Sequence, residues 1–93
     1  MPSTAVRLVV EGRVQGVGFR LWTVHEARRR GLRGWVRNRR DGSVEALIIG
    51  EPEKVAAMIE ACRHGPRLAR VDRLAQIGTS DDGSVDFEER PTT

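Results

Sequence analysis

The 93-residue sequence holds one cysteine, one lysine, no tyrosine, two tryptophans and two phenylalanines. Cys62 alone cannot close an internal disulfide, and with only His25 and His64 beside it no metal-ligand spacing exists. The expected compartment is the reducing cytoplasm. No apolar stretch approaches the ~18–20 residues of a membrane span; Ala46–Ile49 is far too short. Met1-Pro2-Ser3-Thr4 offers no cationic segment followed by an apolar one, so no secretory leader is expected. Low-complexity tracts and linkers are also missing. The length fits a single domain spanning 1–93, and 39% apolar with 31% charged residues is the composition of a soluble globular chain.

Charge is present but unevenly placed. Residues 1–50 carry ten arginines against four acids, whereas 51–93 carry six cations against nine acids. The positive field belongs to the first half, and an anionic ligand is expected there. Nearly all cations are arginine, whose planar fork pairs with two oxygens of a phosphate or carboxylate.

Ala5–Glu11 alternates, with Val6, Leu8 and Val10 on one face and Arg7, Val9 and Glu11 on the other, which predicts a half-buried strand ending at Gly12. Arg20–Arg30 reads as a helix stopped by Gly31, with either Leu21, Val24 and Arg28 or Trp22, Ala27 and Arg30 along one side. Leu32–Asn38 and Ser43–Ile49 flank Asp41-Gly42, a strong turn signal, and form a hairpin. After Pro52, Val55, Met58, Ile59 and Cys62 recur at helical spacing until His64-Gly65-Pro66. Leu68–Ile77 has mixed alternation that predicts a strand with a bulge, Val85–Glu88 a short closing strand, and Pro91–Thr93 a frayed end. The order β-α-β-β-α-β predicts an α+β, ferredoxin-like split βαβ sandwich: a four- to five-stranded antiparallel sheet with both helices on one face.

Between the first strand and helix lies Gly12-Arg13-Val14-Gln15-Gly16-Val17-Gly18-Phe19-Arg20. It lacks the third glycine of a dinucleotide fingerprint and the Gly-Lys-Ser/Thr of a nucleotide phosphate loop. Glycines still let backbone N–H groups converge as a nest, and a helix start adds partial positive charge. No Ser, Thr, Asp or Asn lies between Gly12 and Trp22 to cap the helix, so its first N–H groups have no local acceptor. Arg20 in the first turn is unfavourable to the helix dipole unless negative charge arrives. This pattern suits an oxyanion; the plain alternative is a tight connection with a solvated arginine.

That run, followed by Gly31-Leu32-Arg33-Gly34-Trp35-Val36-Arg37-Asn38 and Asp41-Gly42-Ser43-Val44-Glu45, closely resembles the acylphosphatase family, with both family signatures in order and at the usual interval. Gly65–Asp72 and Phe87-Glu88 extend the similarity over most of the chain, so 1–93 reads as a single acylphosphatase-like domain. The resemblance implies hydrolysis of the carboxyl-phosphate bond of a small acyl phosphate, giving a carboxylate and inorganic phosphate, with no metal and no cofactor. It implies that Arg20 binds the phosphoryl group together with the amides of Gln15, Gly16, Val17, Gly18 and Phe19, and that Asn38 orients the attacking water. The chain departs from the family pattern at Trp22, at Arg39-Arg40, and at Glu88-Glu89-Arg90, where an apolar residue often separates Glu from Arg.

The chemistry fits what is missing. A carboxylate leaves without a general acid, and a loose transition state needs little nucleophilic push, so no catalytic His or Cys is required. Cys62 therefore reads as a core thiol, His25 and His64 as helix-surface groups, Arg28-Arg29-Arg30 as a solvated last turn, and Trp22 and Trp35 as packing aromatics. Arg37, Arg39 and Arg40 form either a basic edge or an anion-steering cluster near the site. The rival function is a non-catalytic RNA- or anion-binding module on the same fold. RNA recognition by such a sheet needs exposed aromatics, and none occurs from Ser43 to Ile49. The expected partner is a small acyl phosphate, not nucleic acid or membrane, and the expected state is a monomer.

Overall fold

The computed structural model describes residues 2–93. Its elements are β1 (Thr4–Arg13), α1 (Phe19–Arg29), β2 (Arg33–Asn38), β3 (Val44–Gly50), α2 (Pro52–Cys62), β4 (Arg70–Gly78) and β5 (Phe87–Glu89). One five-stranded sheet runs in the order β4-β1-β3-β2-β5. The ferredoxin-like α+β arrangement is as the sequence predicts. One detail is corrected: the sheet is mixed, because β5 pairs parallel with β2 while every other pairing is antiparallel. The cause is topological. β4 and β5 occupy opposite edges, and a chain that descends β4 and crosses under the sheet must ascend beside β2, which also ascends.

Burial follows the two periodicities of the chain. Leu8 and Val10 of β1, Val36 of β2, and Val44, Ala46 and Ile48 of β3 face the helices. Against them pack Val24 and Ala27 of α1 and the expected stripe Val55, Met58, Ile59 and Cys62 of α2, with Phe87 closing the edge. The side of α1 that packs inward is Phe19, Thr23, Val24 and Ala27; Leu21 is 57% exposed, because at helical spacing it falls outside the arc those four residues set. The other sheet face is covered too. Trp35, Leu47, Ile49 and Ala5 form a small cluster there. Beside it the buried Glu45 carboxylate accepts hydrogen bonds from Arg7 (2.6 Å) and Arg37 (2.8 Å).

β1 runs past Gly12 to Arg13, and the expected bulge lies opposite: Glu11 pairs with Arg73 and Gly12 with Val71, leaving Asp72 as the extra residue. At Gly12 (φ 133°) any side chain would strike the Arg70 carbonyl. The closing strand begins at Phe87, not Val85, which is 92% exposed. Nor is the end frayed. The Arg90 N–H donates to Val36 O, the Thr93 N–H to Asn38 O, and the Arg40 N–H to Thr93 O, so residues 90–93 continue along β2. An open edge of β2 has donors and acceptors to satisfy, and this segment supplies them.

Candidate functional site

The segment joining β1 to α1 is pinned at both ends by burial, at Val14 and Phe19, and between them Val17 packs against the core. Gly16 (φ 73°) and Gly18 (φ 79°) are left-handed, and no non-glycine residue among those described has positive φ, so handedness alternates along Gln15-Gly16-Val17-Gly18. Alternation of this kind turns successive N–H groups toward a common point. A Cβ at Gly16 or Gly18 would meet nothing, so glycine is needed there for conformation rather than for room.

Gly18 is the N-cap of α1, no side chain caps it, and the first turn carries no acid. The first backbone bond into the helix runs from Trp22 N–H to Gly18 O, and the N–H groups of Phe19, Arg20 and Leu21 have no helical partner. Positive partial charge thus accumulates where Arg20 sits. The Arg20 side chain is 34% exposed, with Nη1 3.7 Å from Oε2 of Glu89.

Asn38 ends β2, in register with Val44. Its Oδ1 is buried and has no hydrogen-bond partner among the described residues. Buried acceptors are nearly always paired, so an orphan of this kind calls for an explanation. Two contacts fix the surroundings. The Gln15 side chain reaches across and its Nε2 donates to Arg39 O and Ser43 O, both at 2.8 Å, stitching the loop to the hairpin beyond Asn38. The Asn38 carbonyl is itself held by Thr93.

These elements enclose a concavity of about 140 Å³ lined by Val14, Gln15, Gly16, Gly18, Phe19, Arg20, Leu21, Asn38 and Glu89. Of the residues singled out from sequence, Gln15, Gly16, Gly18, Phe19, Arg20 and Asn38 meet at this one place. The Val17 side chain packs inward and does not line it. Sequence reasoning missed two features: the tethering role of the Gln15 side chain, and Glu89, visible only as a departure from an apolar pattern. Arg37 is turned to the opposite sheet face, paired with Glu45 and stacked on Trp35 at 4.6 Å. Arg39 pairs with Asp41 at 3.9 Å, and Arg40 is exposed.

The remaining groups lie elsewhere. Burial pushes the Cys62 thiol up to about 12, so it stays protonated. His25 and His64 are exposed on the surface, and Trp22 packs its ring against Phe19 at 5.4 Å. No group of three or more His, Cys, Asp or Glu that could hold a metal ion occurs among the described residues. No described helix is long and apolar enough to cross a membrane.

A split βαβ sandwich whose first strand-to-helix connection is an uncapped, glycine-alternating loop beside an arginine defines the class: an α+β domain of ferredoxin-like fold. The acylphosphatase family model matches residues 6–89. An acylphosphatase of Nitrobacter winogradskyi is 65% identical over 74 residues, covering 80% of this chain and 75% of that protein. One from Acidiphilium cryptum is 47% identical over 88 residues, covering 95% and 97%. The crystal structure of the Bacillus subtilis acylphosphatase superposes with a TM-score of 0.89 at 38% identity, over 92% of this chain and 97% of that one. The chain belongs to the acylphosphatase family, and it is an enzyme.

Proposed function

We propose that residues 1–93 act as one domain, a monomer of the cytoplasm, that hydrolyses small acyl phosphates at the concavity between the 15–20 loop and Asn38. The loop amides and the Arg20 guanidinium hold the phosphoryl oxygens, and Asn38 Oδ1 accepts a hydrogen bond from the attacking water and aims it in line with the departing carboxylate. The reaction balances as R–CO–O–PO₃²⁻ + H₂O → R–COO⁻ + H₂PO₄⁻. The P–O bond to the acyl oxygen breaks, its electron pair leaves with the carboxylate, and the water's proton ends on phosphate. The carboxylate is weakly basic and needs no acid. Charge spread over the equatorial oxygens is what the site must stabilise, and oriented N–H donors of this kind are each worth ~10²–10³ in rate.

The observation that carries this reading is the orphaned, buried Asn38 Oδ1 in the same small concavity as Arg20 and the alternating-handed loop. A phosphate receptor alone has no use for an unpaired acceptor beside an anion, whereas a water donor does. An RNA-binding role fits poorly, because the buried Trp35 ring is flanked by Arg37 at 4.6 Å and Arg90 at 5.2 Å and presents no free face. The test is phosphate release from benzoyl phosphate by the wild type, Arg20→Gln and Asn38→Ala. Arg20→Gln is expected to raise KM and lower kcat, and Asn38→Ala to lower kcat with phosphate inhibition retained. Near-normal turnover in both variants refutes the assignment.

A further inference from the structure

Glu89 is the one acidic side chain lining the concavity. Its position follows from strand alternation: Phe87 of β5 faces the core, so Glu89, two residues on, faces the same side at the level where α1 begins. There its Oε2 lies 3.7 Å from Arg20 Nη1 with the side chain still 44% exposed. A carboxylate at this point costs affinity for any dianion drawn to Arg20, and it forms no hydrogen bond that the fold requires.

We propose that Glu89 is a specificity-determining residue that selects acyl phosphates by the charge of their acyl part. This rests on the hydrolytic reading above. With the phosphoryl group on the loop and Arg20, the small concavity of about 140 Å³ sends the rest of the substrate toward its open rim. Longer substituents emerge past Leu21, which is 57% exposed, and Glu89. Leu21 is indifferent to their charge, and Glu89 is not. Of the arginines at this end of the sheet, Arg37 pairs with Glu45, Arg39 with Asp41 and Arg90 with Glu88, while Arg40 is exposed and does not line the concavity. Acyl groups bearing a second anion are disfavoured, neutral ones are accepted, and those with an ammonium group are favoured.

The test measures kcat/KM for acetyl phosphate, succinyl monophosphate and β-alanyl phosphate, whose acyl parts are neutral, anionic and cationic. The Glu89→Gln variant is expected to raise the succinyl-to-acetyl ratio about three- to tenfold and to lower the β-alanyl-to-acetyl ratio by a similar factor. High salt is expected to compress the wild-type ratios toward those of the variant. A common factor for all three substrates, upward or downward, overturns the proposal, because it means that Glu89 only competes for Arg20 or only steadies it. Wild type that hydrolyses acetyl phosphate while both ratios stay fixed in the variant removes the role of Glu89 and leaves the function standing. Wild type that releases no phosphate from any of the three removes both. Glu89→Ile, read in the same assay, gives the same ratios without the carboxamide if Glu89→Gln folds poorly.

Discussion

Replacing Asn38 by alanine separates catalysis from stability. The side chain lines a solvent-open concavity rather than the packed core, so truncating it leaves no sealed cavity, and water fills the space it vacates. The expected change in stability is within about 0.5 kcal/mol, a shift in Tm of about 2–4 °C at most for a domain of this size. Turnover, by contrast, loses the group that positions the attacking water, a loss expected to cost ~10²-fold, or about 2.7 kcal/mol of barrier. Thermal unfolding and phosphate release from benzoyl phosphate, measured on the same preparation, read both effects. A variant that melts many degrees lower, or that turns over within about threefold of the wild type, refutes the idea that Asn38 serves the reacting water rather than the fold.

Further outcomes follow from other residues. Gln15→Leu removes two 2.8 Å hydrogen bonds between the loop and the hairpin; it is expected to cost about 1–3 kcal/mol in chemical denaturation and about tenfold in kcat/KM, and a stability loss with unchanged kinetics contradicts the tether. For Glu45, burial raises the carboxyl pKa, but hydrogen bonds from Arg7 and Arg37 outweigh it, holding the group below its ordinary 4.5. The stability it contributes is thus fully present above pH about 4.5 and is lost as pH falls through the lower folded value. Glu45→Gln, compared with the wild type by Tm across that acid range, is expected to show a shallower slope; equal slopes dismiss the pair as a source of acid sensitivity. The Cys62 thiol, pushed up to about 12 by burial, is expected to resist alkylation at neutral pH until the chain unfolds. Labelling in native buffer at the rate of a free thiol contradicts its placement among Val55, Met58 and Ile59.

Much of the candidate site's geometry was legible in the sequence because its requirements are local. Alternating glycines permit the left-handed positions that the Gln15–Gly18 loop adopts, and the lack of any capping side chain before Trp22 leaves the α1 amides without a side-chain acceptor. The stripe of α2 was equally plain, since Val55, Met58, Ile59 and Cys62 satisfy one period with no competing face. The start of α1 was harder. Leu21 is as apolar as Val24, and only the packing of Phe19, Thr23 and Ala27 against the sheet tells the inner side from the outer.

The sequence by itself determined the approximate elements, the glycines that the loop's left-handed positions need and the uncapped start of α1, because sterics and periodicity act over a few neighbouring residues. Tertiary structure alone decided that β5 runs parallel to β2, that residues 90–93 bond along β2 instead of fraying, that Arg37 turns away from the site, and that Glu89 arrives beside Arg20. Those outcomes depend on which sheet edge remains open and which face is already filled, and both are settled only when distant segments compete for the same hydrogen bonds and the same buried surface.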